Sequence, residues 1–552
     1  MKKSDIARLE SQGCFCDDWS LVSISPESDL AKFRNVCFRG SVSIGANTEI
    51  VNVPGGLCNV RIGNNVRINN VAKIEKTLGA SFGIGSVVSV LDETGSHSVR
   101  IYPGISVQVA TMAARMPEYA AGSLAPMINT HISSMPDMPE VGDNAVIVDC
   151  GSLVDVRIWA GVRVEGAARL RNCSIVSNSK SSGISAYVGY GVDAENCIIE
   201  DARVEGGSLL RNTYVGQGSV LDKGFTSHDM FCSSNCSLEN GEACAVFAGP
   251  FTVSMHKSSL LIACQTAFMN AGSGTNMSNH MYKLGPVHWG VLERGVKSSS
   301  NSYLMHGARI GAYSLLMGDH KNHPDSSEFP FSYVIGDSRG YSVLVPGAML
   351  KSCGLVRDEK KWQSRDRRKS LELKRFFDRI NPHIFTPYTI GLVADAIDIC
   401  SRLLSEASDS DGSVMYKGMK ISVNSLSKGR RYYELALCKY LHTIASEDTL
   451  PVAAEDVSSE KWIDLGGQII PESRLRLAME ATSLEEIECV LDKAAEDMKV
   501  LEQAWVAARF GGYLEDRKSL ATNAAEYDAL VERDRLDSIK KVSEEQNMLS
   551  LI

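Results

Sequence analysis

Between residues 141 and 221 a short apolar side chain returns every five or six positions, and few folds accommodate that spacing. The anchors are Val141, Ile147, Leu153, Ile158, Val164, Leu170, Ile175, Val188, Ile199, Val204, Leu210, Val215 and Leu221. An α-helix buries a residue every three or four positions and a half-buried strand every second one, so a period of six fits neither. It fits a solenoid of very short strands. Each hexad then forms one flat face with its anchor in the core. Three faces close a turn of about 18 residues, and stacked turns bury the anchors in one column.

A longer self-similarity supports this reading. Arg163-Val164-Glu165-Gly166 with Leu170-Arg171-Asn172 recurs as Arg203-Val204-Glu205-Gly206 with Leu210-Arg211-Asn212, at an offset of 40 residues. Further hexads are Ile44–Ile50, Ile62–Ile68, Ile84–Val90, Val141–Ile147, Val215–Val220, Ile310–Leu315 and Val345–Leu350. They resemble the hexapeptide repeat of left-handed parallel β-helix proteins. The chain looks most like an uncharacterised bacterial group of long hexapeptide-repeat proteins. The resemblance implies a mainly β chain, a left-handed parallel β-helix over about 41–350, within a superfamily that holds acyltransferases, sugar nucleotidyltransferases, γ-class carbonic anhydrases and non-catalytic assembly subunits. It also implies a homo-oligomer, commonly a trimer.

At 552 residues the chain exceeds one ordinary core, so a second domain is expected beside the solenoid. The 57 basic and 66 acidic residues leave a net charge of −9, which gives no general attraction to nucleic acid or to an anionic membrane. No apolar run approaches the roughly 20 residues of a membrane span. The N-terminus, Met1-Lys2-Lys3-Ser4-Asp5, lacks the apolar stretch of a secretory signal. A cytoplasmic location is the default expectation. The 15 dispersed cysteines read as small buried thiols.

In chain order, residues 1–40 read as a lead-in with a short helix near Ile6–Glu10. The Met- and Pro-bearing stretch 105–139 reads as an insertion that leaves the coil period, a lid, an oligomer contact or surface decoration. Lys351, Arg357, Lys360, Lys361, Arg365, Arg367, Arg368 and Lys369 make 351–370 a basic linker that contacts the solenoid or solvent. Residues 371–552 read as an α-helical domain. Leu373, Phe376, Phe377 and Ile380 have helical spacing, and Ser483 with Glu486 forms a capping box ahead of Ile487, Leu491, Ala494, Met498, Leu501 and Trp505. Such a domain covers the open end of a solenoid.

Seven of the eleven histidines fall between Asp222 and Ser342: His228, His256, His280, His288, His306, His320 and His323. In the acyltransferases that this fold resembles, a coil histidine takes a proton from a sugar hydroxyl or amine, which attacks the thioester of an acyl-CoA. Neutral imidazole suits that step because its ordinary pKa lies near working pH. His280 is the first candidate and His256 the second. Asn276, Asn279, His288, Lys283 and Arg309 are the candidate contacts to a sugar-like or nucleotide-like substrate, with Arg294 and Lys297 adding positive charge for anionic groups. No metal site is expected. Asp319, His320 and His323 are its only weak candidates, and their spacing does not reproduce the carbonic anhydrase pattern. Nucleotidyl transfer lacks its Gly-rich nucleotide loop. Two functions stay open: a His-dependent acyl transfer with acyl-CoA as co-substrate, and a non-catalytic scaffold whose helical domain binds a partner.

Overall fold

The computed structural model describes residues 1–180, 185–278, 288–339, 341–407, 412–447 and 457–549. The chain forms two compact units, residues 1–264 with 366–378 and residues 265–365 with 379–552. The main sheets of the first are parallel ladders of short strands. Leu153 pairs in register with Leu170, Leu170 with Ala194, Ala194 with Leu210, and Leu210 with Ser227. These steps are coils of 16, 17 or 24 residues, close to the expected turn. All thirteen anchors are buried, none more than 1% exposed. Each contributes about 1.5–3 kcal/mol by leaving water.

The corners are made by residues that tolerate left-handed backbone. Asn172, Asn196, Asn212 and Asp229 stack in successive coils with φ between 47° and 56°. Asn and Asp adopt this region because their short polar side chains bond locally. Here they bond to one another. Asn172 Nδ2 donates to Asn196 Oδ1 at 2.8 Å, and Asn196 Nδ2 to Asn212 Oδ1 at 3.0 Å. A second corner repeats the device, with Asn52 donating to Asn70 and Asn70 to Asp149.

The 40-residue repeat is two coils. Arg163 pairs with Tyr187 and Tyr187 with Arg203, a 24-residue coil followed by a 16-residue one. The insertion is larger than the sequence suggests. Ile68 pairs directly with Ile147, and Ile74 with Leu153, so the residues between Lys76 and Glu140 leave the coil and return. The hexad Ile84–Val90 lies inside this excursion and is not a coil: Val87–Ser89 pairs antiparallel with Ser98–Arg100. A short β-hairpin strand and a coil strand share the same apolar spacing, which is why period alone misplaced it. The helix Val107–Arg115 follows, capped by Ser106 and buried over eight of its nine residues. The insertion covers an outer solenoid face on which Tyr214, Phe231 and Phe247 stack at centroid distances of 4.8 and 5.1 Å.

Residues 366–378 also differ from expectation. The predicted helix through Leu373, Phe376, Phe377 and Ile380 does not form; the segment is an irregular strap. Its backbone finds solenoid partners instead, with Lys374 N donating to Asn178 O and Lys180 N to Glu372 O. The lead-in contributes the helix Lys3–Ser11 and a strand, Phe15–Cys16, that pairs parallel with Phe33–Arg39.

The second unit holds further parallel strands, including Lys297–Ser298, Leu315–Met317 and Tyr333–Gly336, and then the helices. Cys353–Ser364 is helical within the expected linker. Pro387–Glu406, Val423–Glu447, Leu484–Glu496, Met498–Glu515 and Arg517–Leu549 carry most of the C-terminal region, with two antiparallel hairpins, Ser413–Tyr416/Met419–Ser422 and Trp462–Leu465/Gln468–Pro471. Ser483 caps its helix, accepting from Glu486 N at 3.2 Å, but the expected capping box does not close: the Glu486 carboxylate accepts from Thr482 N at 2.7 Å instead of from Ser483 N.

Candidate functional site

Of the residues singled out by sequence, His280, Asn279 and Lys283 lie outside the described residues. The remaining histidines divide between the units. His256 is exposed in the turn after Val253–Ser254 of the first unit, where its carbonyl accepts from Ser259 N. His288 is half-buried in the second unit, and Asn276 lies on the strand Asn276–Ser278. Arg309 has its guanidinium 3.5 Å from Glu293.

His320 is a core residue. It takes a coil register opposite Leu304, is 0% exposed, and has Ser342 Oγ at 2.8 Å on Nδ1 and Met317 O at 3.1 Å on Nε2. Burial pushes its pKa down to about 4. His323 Nδ1 contacts His306 O at 2.5 Å, and Asp319 is solvent-facing beside Lys321. Among the described residues no three His, Cys, Asp or Glu side chains are grouped to hold a metal ion. Arg294 and Lys297 are not free cations. Arg294 is fully buried, 3.4 Å from Asp464 and stacked over Phe268, and Lys297 pairs with Asp358.

A cleft lies elsewhere, on the solenoid of the first unit. It has a volume of about 560 Å³, within the range of small-molecule sites. Its floor is the ladder Arg163, Tyr187, Arg203 and Val220, and the strap residues Arg367, Ser370 and Leu371 form a wall. Arg163 makes a two-pronged pair with Glu165, at 3.0 and 2.8 Å, and Arg203 makes the same pair with Glu205. Each guanidinium is thereby held by its carboxylate, and both arginines line the cleft. Arg203 also stacks on Tyr187, 4.6 Å from the ring centroid. Arg367 is held by Gly218 O, by Cys236 O at 2.6 Å and by Ser237 Oγ at 3.1 Å. Arg367 of the basic run thus contacts the solenoid, through neutral carbonyl and hydroxyl groups.

At the base of the cleft sits Asp201, 0% exposed and in left-handed backbone with φ 44°. Its carboxylate accepts from Asn178 N at 2.7 Å and from Gln217 Nε2 at 3.0 Å. Burial nevertheless outweighs these donors and raises its pKa. Perturbed carboxyls in clefts are enriched at functional sites. The hydroxyls of Ser185, Ser219 and Ser370 complete the lining, bonded to Ser177 Oγ, Ser233 O and Arg367 O in turn.

A family profile described as "Domain of unknown function (DUF4954)" matches residues 1–60 and 56–404. The chain belongs to this family. No curated protein matches it. The family match spans the cleft floor and the strap together, from Arg163 to Leu371. Sequence reasoning passed over these residues although their signal was present. The repeated Arg-Val-Glu-Gly served only as proof of periodicity, while its polar positions place two arginines and their carboxylates on one face.

Proposed function

We propose that this chain is a parallel β-solenoid protein that binds a hydroxyl-rich, sugar-like small molecule in the Arg163–Tyr187–Arg203 cleft. The observation that carries the reading is the pair of locked arginine–carboxylate forks flanking Tyr187 on consecutive coils. A saccharide ring presents adjacent hydroxyls that both donate and accept, and planar forks satisfy them two at a time. Building the site on strands rather than loops holds that geometry. The left-handed, hexapeptide-repeat assignment is part of the same proposal and rests on the repeat pattern.

Acyl transfer from a CoA-type donor is the second reading, favoured by one feature. The strand leading into His256 belongs to the cleft's own ladder, since Val220 pairs with Ser237 and Ser237 with Val253. Two strand spacings separate Val253 from Val220, about 10 Å. In this reading the cleft holds the acceptor sugar and the exposed imidazole of His256 takes its proton.

Saturation-transfer NMR on the full chain with monosaccharides, sugar phosphates, nucleotide sugars and acetyl-CoA tests both. Transfer to sugar protons that disappears in Tyr187→Ala supports the binding reading, and absence of transfer from every sugar overturns it. Acetyl-CoA consumption that requires both a bound sugar and His256 supports acyl transfer; consumption unchanged in His256→Ala removes it.

A further inference from the structure

Where the insertion leaves and rejoins the solenoid, consecutive coils place Arg61, Glu140 and Arg157 one above another. Ile62 bridges Val141 and Val141 bridges Ile158, so the residues that precede them share one register. On the next coil Arg157 stands opposite Ser174, a buried residue whose hydroxyl donates to Phe82 O of the insertion at 2.8 Å.

The carboxylates of this group are committed to other cations. Glu140, 1% exposed, accepts from Arg61 N at 2.7 Å, from Arg61 Nε and Nη2 at 3.2 and 2.9 Å, and from Lys76 Nζ at 2.9 Å. Both oxygens of Asp137 accept from Arg61, at 2.6 and 2.8 Å. Arg157 lies in the field of both carboxylates and bonds to neither. Its guanidinium stacks over Phe82, 4.1 Å from the ring centroid, and its Nε is buried with no hydrogen-bond partner among the described residues. Arg61, Lys76 and Arg157 stand against Asp137 and Glu140, so one positive charge is in excess, and it belongs to the member without a bond.

Trp159 continues the same ladder, its N donating to Ile175 O at 2.9 Å. Side chains two positions apart on an extended chain share a face, which puts the indole on the side of Arg157. Its Nε1 is likewise buried without a partner among the described residues. Buried donors that lack acceptors are costly, and arginines drawn into a protein are ordinarily paired. The planar guanidinium matches two oxygens of one phosphate or carboxylate group, and an indole N–H can donate a further bond.

We propose that Arg157 and Trp159 form a binding site for a small oxyanion, a phosphate or carboxylate group, at the root of the insertion. The oxyanion cancels the excess charge of the five-residue group and gives both orphaned donors an acceptor. None of these residues lines the Arg163–Tyr187–Arg203 cleft, so the site stands apart from the sugar-binding reading.

TROSY NMR of the indole N–H groups of the full chain tests this, with Trp159→Phe assigning the signal. Inorganic phosphate and acetate are titrated separately at an ionic strength held with sodium chloride. One of them is expected to move the Trp159 indole resonance in a saturable way, and the one with the lower midpoint names the ligand class. Arg157→Gln is expected to raise that midpoint by at least about tenfold, the loss of one charge-assisted hydrogen bond. Arg157→Lys keeps the charge without the planar fork, and covers the case of a Gln variant that does not fold; it too is expected to bind more weakly than the wild type. A resonance that neither anion moves, one that chloride moves equally, or a midpoint unchanged in Arg157→Gln or Arg157→Lys overturns the site.

Discussion

Replacing Asn196 by alanine breaks the corner ladder at its centre. Asn196 accepts from Asn172 at 2.8 Å, donates to Asn212 at 3.0 Å and holds φ at 56°. Each lost hydrogen bond costs about 0.5–1.5 kcal/mol. Holding alanine in left-handed backbone adds about 1–2 kcal/mol, so the variant is expected to lose about 2–5 kcal/mol. Asn196→Gly separates the two effects. Glycine relieves the backbone strain but adds about 0.5–1 kcal/mol of chain entropy to be lost on folding. It is therefore expected to be less destabilising than alanine by about 0.5–1 kcal/mol. Urea unfolding followed by far-UV circular dichroism measures both, through the midpoint of the first transition at unchanged slope. An alanine variant that loses less than about 1 kcal/mol refutes the ladder account, and so does a glycine variant worse than alanine.

Three further outcomes are expected. The raised pKa of Glu200 contributes stability that is fully present below its unfolded value of 4.5 and is lost as pH rises to about 8, about 5 kcal/mol in all, and Glu200→Gln flattens that slope in urea titrations across pH. His320 runs the opposite way: its pKa is held down to about 4, so its contribution of about 3 kcal/mol is present above pH 6.5 and lost toward pH 4, and its ring resonances in NMR titrate near 4. Leu170→Ala leaves a cavity between Leu153 and Ala194 and costs about 3–5 kcal/mol by chemical denaturation, whereas Leu209→Ala, at an exposed position of the strand Leu209–Val215 in the same ladder, costs under about 1 kcal/mol.

The solenoid was legible because its signal is redundant: each buried anchor repeats the message of the one above it, so Val164, Leu170 and Ile175 announce the same coil as Val204, Leu210 and Val215. The corner asparagines repeat too, and with their φ values they explain a composition that sequence alone recorded only as polar spacing. Non-repeating segments were the ones misread. Leu373 to Ile380 has helical spacing, yet the backbone of this segment bonds to Asn178 and Gln217, and tertiary partners override local period. Ile84–Val90 has coil spacing and forms a hairpin. The site was missed for a related reason. Histidine is the residue whose chemistry reads most easily in a chain, but His320 serves packing, while the cleft is built from arginines whose importance depends on which coils lie side by side.

Isothermal titration of the best-binding sugar into wild type and Tyr187→Ala tests the central claim most directly. The account predicts one site in the wild type and a loss of at least about tenfold in affinity in the variant, the 1.4 kcal/mol expected when one aromatic platform is removed. Equal affinity in the two proteins, or no heat from any sugar, contradicts it.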